Sequence, residues 1–271
     1  MQYTKPFLKW PGGKFRLLDK ILSRLPAGRR LVEPFAGSGA VFLNAPHDAF
    51  LICDVNPDLI GLFTTLQRRG APFIERCATL FTPGHNTEKT FYRLRDRFNT
   101  STDAEERAAL LLYLNRHAYN GLVRYNASGK FNVPFGRYVT PYFPKAELLA
   151  FLDKCAACDV AFAVRDFRET FAGLQAGDVV YGDPPYVPLS ATSNFTAYAG
   201  NIFGSAEQEA LARAARAAAA RGIPVLLSNH NTPTTRALYA GAQTQTFAVR
   251  RSISCNGAQR GHAPELLAVF L

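Results

Sequence analysis

Asp183-Pro184-Pro185-Tyr186 puts a carboxylate, a backbone carbonyl held by two prolines and an aromatic face into four consecutive residues. The run Asp178-Val179-Val180-Tyr181 just before it is β-branched and aromatic, which predicts a strand. The tetrapeptide would then sit at a strand's carboxyl end, where open α/β sheets bind ligands. Two acceptors aimed at an exocyclic amine hold its hydrogens and direct the nitrogen lone pair toward an electrophile, while the ring stacks on a flat base. Such a device alkylates an amino group without a strong base. A Pro-rich turn is the plain alternative.

A second candidate is Glu33-Pro34-Phe35-Ala36-Gly37-Ser38-Gly39, between a predicted strand and a predicted helix. Gly37 and Gly39 allow a tight turn and close approach of backbone to a ligand. The segment lacks the full dinucleotide fingerprint and the Lys-Ser/Thr of a phosphate loop. Asp54 ends the next predicted strand, where a carboxylate can accept from both hydroxyls of a ribose; a turn or cap before Asn56-Pro57 is the other reading.

Positioning these groups requires a sheet. The patterns predict a helix over residues 15–25, a strand over 31–35, a helix from 40 and a strand over 49–54, which is a βαβ opening. Residues 56–145 read as helices joined by polar loops, with a capping box at Thr102-x-x-Glu105. Residues 146–162 read as one helix carrying Cys155 and Cys158; with no second ligand pair, packing rather than metal is expected there. Alternation resumes with strand 178–181, an Ala-rich helix capped by Ser205-x-x-Gln208 and stopped at Gly222, and strand 223–228.

Residues 111–145 contain no Asp or Glu but hold Arg116, Arg124, Lys130, Arg137 and Lys145 among eight Tyr or Phe and four Asn. Cations hold phosphates, rings stack or wedge, and amides reach base edges, so the run suits a nucleic acid; a polar insert with core aromatics is the bland reading. Net charge +10 over 271 residues points the same way. No apolar run approaches the length of a membrane span, and the N-terminus lacks a signal-peptide pattern, so a cytoplasmic protein is expected. Five scattered cysteines argue against a disulfide framework.

Across almost the whole chain the sequence resembles the Dam-type DNA adenine-N6 methyltransferases, in the alpha-group order of cofactor loop, recognition insert, DPPY. Lys9-Trp10-x-Gly12-Gly13-Lys14, EPFAGSGAVFLN (33–44), LNRHAYNGLVRYNASGKFNVPFGRY (114–138), DPPYVPLSATSNFTAY (183–198), LLSNHNT (226–232) and RRSISCNG (250–257) carry the resemblance. It implies a Rossmann-like α/β methyltransferase domain split as 1–55 and 145–271 around a helical recognition insert, 56–144. It further implies S-adenosyl-L-methionine as methyl donor, no metal, and double-stranded DNA with a flipped adenine of GATC as partner. A monomer acting on the bacterial nucleoid is expected.

The resemblance assigns Trp10, Lys14, Phe35, Gly37, Gly39, Asp54, Asp166, Phe167 and Asp183 to the cofactor, and Asp183, Pro184, Pro185 and Tyr186 to catalysis. Lys9 and Arg124 would read guanines, Leu122 and Pro134 touch thymine methyls, and Tyr119 wedge into the stack. Arg95, Arg116, Asn126, Asn132 and Arg137 would be phosphate or recognition-loop contacts, with Asn120 and Tyr138 also on the DNA side. A methyltransferase of a restriction system reading another sequence, a DNA-binding regulator without catalysis, and an RNA substrate are the rival readings.

Overall fold

The structure is a computed structural model that describes residues 3–188, 203–250 and 262–271. Its centre is a sheet of seven strands: β1 (Arg30–Glu33), β2 (Ala49–Asp54), β3 (Asp159–Val164), β4 (Asp178–Gly182), β5 (Val225–His230), β6 (Gln243–Arg250) and β7 (His262–Phe270). The order is β3-β2-β1-β4-β5-β7-β6, and only β7 runs against the others. Val32 of β1 pairs with Leu51 on one side and Val180 on the other, all three buried, as central parallel strands covered on both faces require. The chain leaves β1 toward β2 and returns at β4 on the opposite side of β1. That reversal opens a crevice above the carboxyl ends of β1 and β4.

Ten helices connect the strands in the described residues: α1 (Leu18–Leu22), α2 (Ala40–Asn44), α3 (Pro57–Arg69), α4 (Ala71–Ala78), α5 (Glu88–Thr100), α6 (Ala104–His117), α7 (Lys145–Ala157), α8 (Phe167–Ala172), α9 (Ser205–Ala219) and α10 (Pro233–Leu238). Side chains alternate along β1, so Leu31 packs on one face with Phe42, Phe63 and Phe151, while Val32 packs on the other with Phe167, Leu211 and Ala215. α3 starts sharply because Asn56 accepts from the Asp58 and Leu59 amides and Pro57 takes the first helical position. Phe63 on α3 lies 5.5 Å from Phe162 of β3. The same apolar cluster continues without a break into α5 and α6 through Phe91, Phe98 and Leu110 to Leu114, and on to Phe131. Among the described residues no helix is long and apolar enough to cross a membrane.

Four expectations need correction. The helix expected over 146–162 ends at Ala157, and Asp159 to Val164 form β3 instead, paired in parallel with β2. Backbone groups on the edge of β2 gain ladder partners that way. Cys155 and Cys158 pack against the main apolar cluster, and the Cys158 thiol reaches the His47 carbonyl at 3.5 Å. α6 is capped by Asp103, not Thr102, the Glu106 amide donating to its carboxylate at 2.7 Å. At α9 the box closes one residue earlier than expected, with Glu207 accepting from the Gly204 amide at 2.9 Å, which leaves Gln208 free for other work. Residues 15–25 form a 3₁₀ turn, Lys14–Leu17, followed by the short α1.

Candidate active site

Both sequence candidates meet at the crevice. β1 ends at Glu33 because Pro34 can donate no ladder hydrogen bond, and the Gly loop follows. Gly37 and Gly39 take φ +48° and +73°, and a Cβ on Gly37 would come within 3.3 Å of the Trp10 ring. The loop is drawn down onto β2 by Asp54, which accepts from the Gly37 amide at 3.2 Å and the Asn56 amide at 2.9 Å. Burial raises the Asp54 pKa from its ordinary value, against the backbone amides that lower it. Asp54 thus forms the turn before Asn56-Pro57, with its carboxylate at the end of β2 beside the Gly loop.

The DPPY segment leaves β4 directly opposite. Lys14 binds Asp183 Oδ1 at 3.1 Å, donates to the Gly12 carbonyl at 2.6 Å and lies 4.6 Å above the Tyr186 ring. A further donor to Asp183 is Ser228 Oγ at 3.1 Å; that hydroxyl also meets Tyr181 Oη at 2.9 Å. Gln208 donates to the Pro185 carbonyl at 2.6 Å and is itself held by Asn229 at 3.0 Å. Asn229 accepts from the Val187 amide at 3.0 Å, and His230 Nδ1 meets the Val187 carbonyl at 2.8 Å. The Tyr186 hydroxyl donates to Glu265 at 3.3 Å, and the ring stands edge-to-face on His230. Burial, then the nearby Asp183 charge, pushes the Tyr186 phenol well up, so it stays protonated.

Glu33 is 2% exposed, and its Oε1 has no hydrogen-bond partner. Burial and the Asp183 carboxylate raise its pKa well above the ordinary value. Three carboxylates therefore lie at the carboxyl ends of β1, β2 and β4. Phe35 stacks on Phe167 at 5.8 Å beside it, whereas Asp166 is engaged as the N-cap of α8 and in an ion pair with Arg168.

Gln208, Ser228, Asn229, His230, Glu265 and Glu33 are the residues that motif reading gave no role. LLSNHNT carries part of the resemblance, but nothing in its own composition reveals that it braces a loop some 45 residues earlier. Residues 189–198 and 251–257, which also carried the resemblance, lie outside the described residues.

The acid-free segment divides in two. Tyr113 and Phe131 are core, and Tyr125 donates to Asp58 at 2.7 Å. Arg116, expected as a phosphate or loop contact, is instead 8% exposed and lies over the Tyr142 ring at 5.0 Å, with Nε unpartnered. The last turn of α6 is buried on every side, which is why it could not stay at the surface. Arg95 is partly buried too, over Tyr92 and near the Val133 carbonyl. Asn132, also expected as a contact, accepts from Arg124 Nε at 2.8 Å, and Asn126 closes a turn by accepting from Ser128 and the Lys130 amide.

Other members of the set face outward. Tyr119 is 53% exposed; Asn120 and Pro134 are exposed beside it, and Leu122 is half-buried. Arg137 is exposed and reaches Glu88 at 3.5 Å. Lys9 Nζ lies 4.2 Å over the Tyr138 ring.

A family defined as the D12 class of N6 adenine-specific DNA methyltransferases matches residues 10–253. A "DNA adenine methylase" of Serratia marcescens is 49% identical over 271 residues, covering all of both chains. Proteins of the same description from Escherichia coli (strain K12) and Vibrio cholerae are each 47% identical, covering all of this chain and 96% and 97% of theirs. With the sheet order, the paired loops at the crevice and these matches in agreement, the chain belongs to the D12 class of N6 adenine-specific DNA methyltransferases.

Proposed function

We propose that the protein transfers the methyl group of S-adenosyl-L-methionine to N6 of adenine in double-stranded GATC, with the adenine turned out of the helix. The observation that carries this reading is the braced DPPY loop. Asp183 is fixed by Lys14 and Ser228, Pro185 is held through its carbonyl by Gln208, and among the described residues no donor reaches the Pro184 carbonyl. Asp183 and the Pro184 carbonyl are then the two acceptors for the amine hydrogens, and the Tyr186 ring is the stacking face. An adenine paired in the duplex cannot reach them, so it must leave the stack.

The crevice suits the donor: the Asp183 carboxylate faces a cation, and Asp54 offers acceptors to ribose hydroxyls. Trp10, Phe35 and Phe167 supply apolar walls, and Gly37 admits close approach where a Cβ would crowd Trp10. When bound, the donor supplies a methyl on a sulfonium. Lys14 holds the Asp183 carboxylate in place, and the fixed acceptors stabilise positive charge developing on N6.

Residues 56–144 form the recognition region in this reading. Arg124, whose Nε and Nη2 donate to the Asn132 side chain and carbonyl at 2.8 and 3.3 Å, reads one guanine in this reading, since a guanidinium matches guanine O6 and N7, and Lys9 reads the other. Tyr119, exposed on the same loop, wedges into the opened stack in this reading. Digestion of plasmid DNA from cells expressing the protein tests the reading. Endonucleases blocked by GATC methylation should fail to cut, and those dependent on it should cut. Unchanged cleavage with active enzyme would overturn the GATC assignment.

A further inference from the structure

Asn115 lies in the last turn of α6 with no exposed surface. Its side chain accepts from the Lys9 amide at 2.9 Å and donates to the Lys9 carbonyl at 2.8 Å and to the Gly121 carbonyl at 2.9 Å. Both amide hydrogens and the oxygen are spent on main chain of two segments remote in sequence. One segment runs from Lys9 to Lys14, which grips Asp183; the other closes the exposed turn of Tyr119 and Asn120.

The contact is close from both sides. Gly121 has φ +65°, and a Cβ there would run into the Lys9 side chain. A Cβ on Gly136 would meet Tyr138 at 2.6 Å, the ring on which Lys9 Nζ rests. A buried amide satisfied at every position holds its partners in one geometry, and one missing partner leaves an unpaired polar group.

We propose that Asn115 is a positioning residue for sequence discrimination: it fixes Lys9 on the recognition loop and ties that register to the active site through residues 9–14. The inference rests on Lys9 reading a base. Asn115→Asp keeps the shape and the acceptor but loses both donors. Single-turnover transfer of labelled methyl from S-adenosyl-L-methionine is measured on GATC duplexes and their single-pair variants, with DNA affinity and melting recorded alongside. The proteins are Lys9→Ala, Asn115→Asp and the double variant.

Asn115→Asp should lose about tenfold in discrimination at the base pair affected by Lys9→Ala, and the double variant should discriminate no worse than Lys9→Ala alone. Equal slowing on every duplex, or effects that multiply in the double variant, would reduce Asn115 to a structural residue. Should Lys9→Ala leave the profile unchanged, the base-reading assignment fails first and the positioning role with it. If Asn115→Asp does not fold, Gly121→Ala presses on Lys9 from the other side and is scored in the same way.

Discussion

The crevice and the face proposed to read DNA solve opposite problems. At the crevice nearly every polar group is spoken for: Asp183 has two donors, the Pro185 carbonyl one, and Gln208 and Asn229 brace each other behind them. On the recognition face Tyr119, Asn120, Asn126, Lys130, Pro134 and Arg137 stand in solvent, and the Arg137–Glu88 pair is too exposed to hold anything firmly. Chemistry needs dipoles fixed before the substrate arrives, whereas contacts to a polyanion can form on arrival. Changes at the crevice should therefore affect transfer, and changes on the face should affect reading or holding.

The largest effect expected is that of Asp183→Ala. It removes an acceptor for the amine and the partner of Lys14, so single-turnover transfer should fall by about 1000-fold or more while DNA binding persists. Retention of a sizeable fraction of the wild-type rate would break the assignment. Gln208→Ala comes next. It touches no substrate in this reading but frees the Pro185 carbonyl, and loosening the loop should cost about tenfold to a hundredfold in kcat. KM for DNA should hold, and a change confined to KM would move Gln208 to the recognition side.

Arg137→Ala should weaken binding to all sequences alike and make the log–log salt dependence shallower by about one phosphate, roughly 0.9 in slope. An unchanged slope would show that Arg137 belongs to its ion pair with Glu88 rather than to DNA.

A last effect concerns stability rather than transfer or reading, and lies at the end of α6. Burial pushes the His117 pKa down to about 4, from an ordinary 6.5. Its Nδ1 is 2.9 Å from the Tyr113 carbonyl and its ring stacks on Tyr113. Below pH 6.5 the unfolded chain takes up a proton that the folded one refuses until about pH 4. The stability that neutral His117 allows is therefore lost as pH falls through that window, by up to about 3 kcal/mol. His117→Phe should melt with a shallower pH dependence between those limits, and identical curves would remove His117 from the acid response.

The same contrast explains what could be read in advance. DPPY and the Gly loop are contiguous, each announced by the strand before it, so their place at strand ends was legible. Lys14 and Asp183 are far apart in sequence, and only the parallel pairing of β1 with β4 brings their segments together. Gln208 looked like a capping residue because Ser205 precedes it by three, yet Gly204 and Glu207 do the capping. In the acid-free run, composition could not separate Arg116 from Arg137. The end of α6 is buried on every side, leaving no polar face to mark which arginine stays in solvent. Cys158 and β3 were lost inside an apparent helix because the Ala-rich stretch fits either period.

The division between reading and chemistry is tested most directly by one profile: single-turnover methylation of a GATC duplex and of its single-pair variants, compared between Arg124→Ala and Gln208→Ala. Arg124→Ala should lose about 1–3 kcal/mol of discrimination at one base pair and stay selective at the other three. Gln208→Ala should slow every duplex by a common factor and leave the profile's shape intact. A common factor for Arg124→Ala, or a profile that shifts at one base pair for Gln208→Ala, would contradict the division.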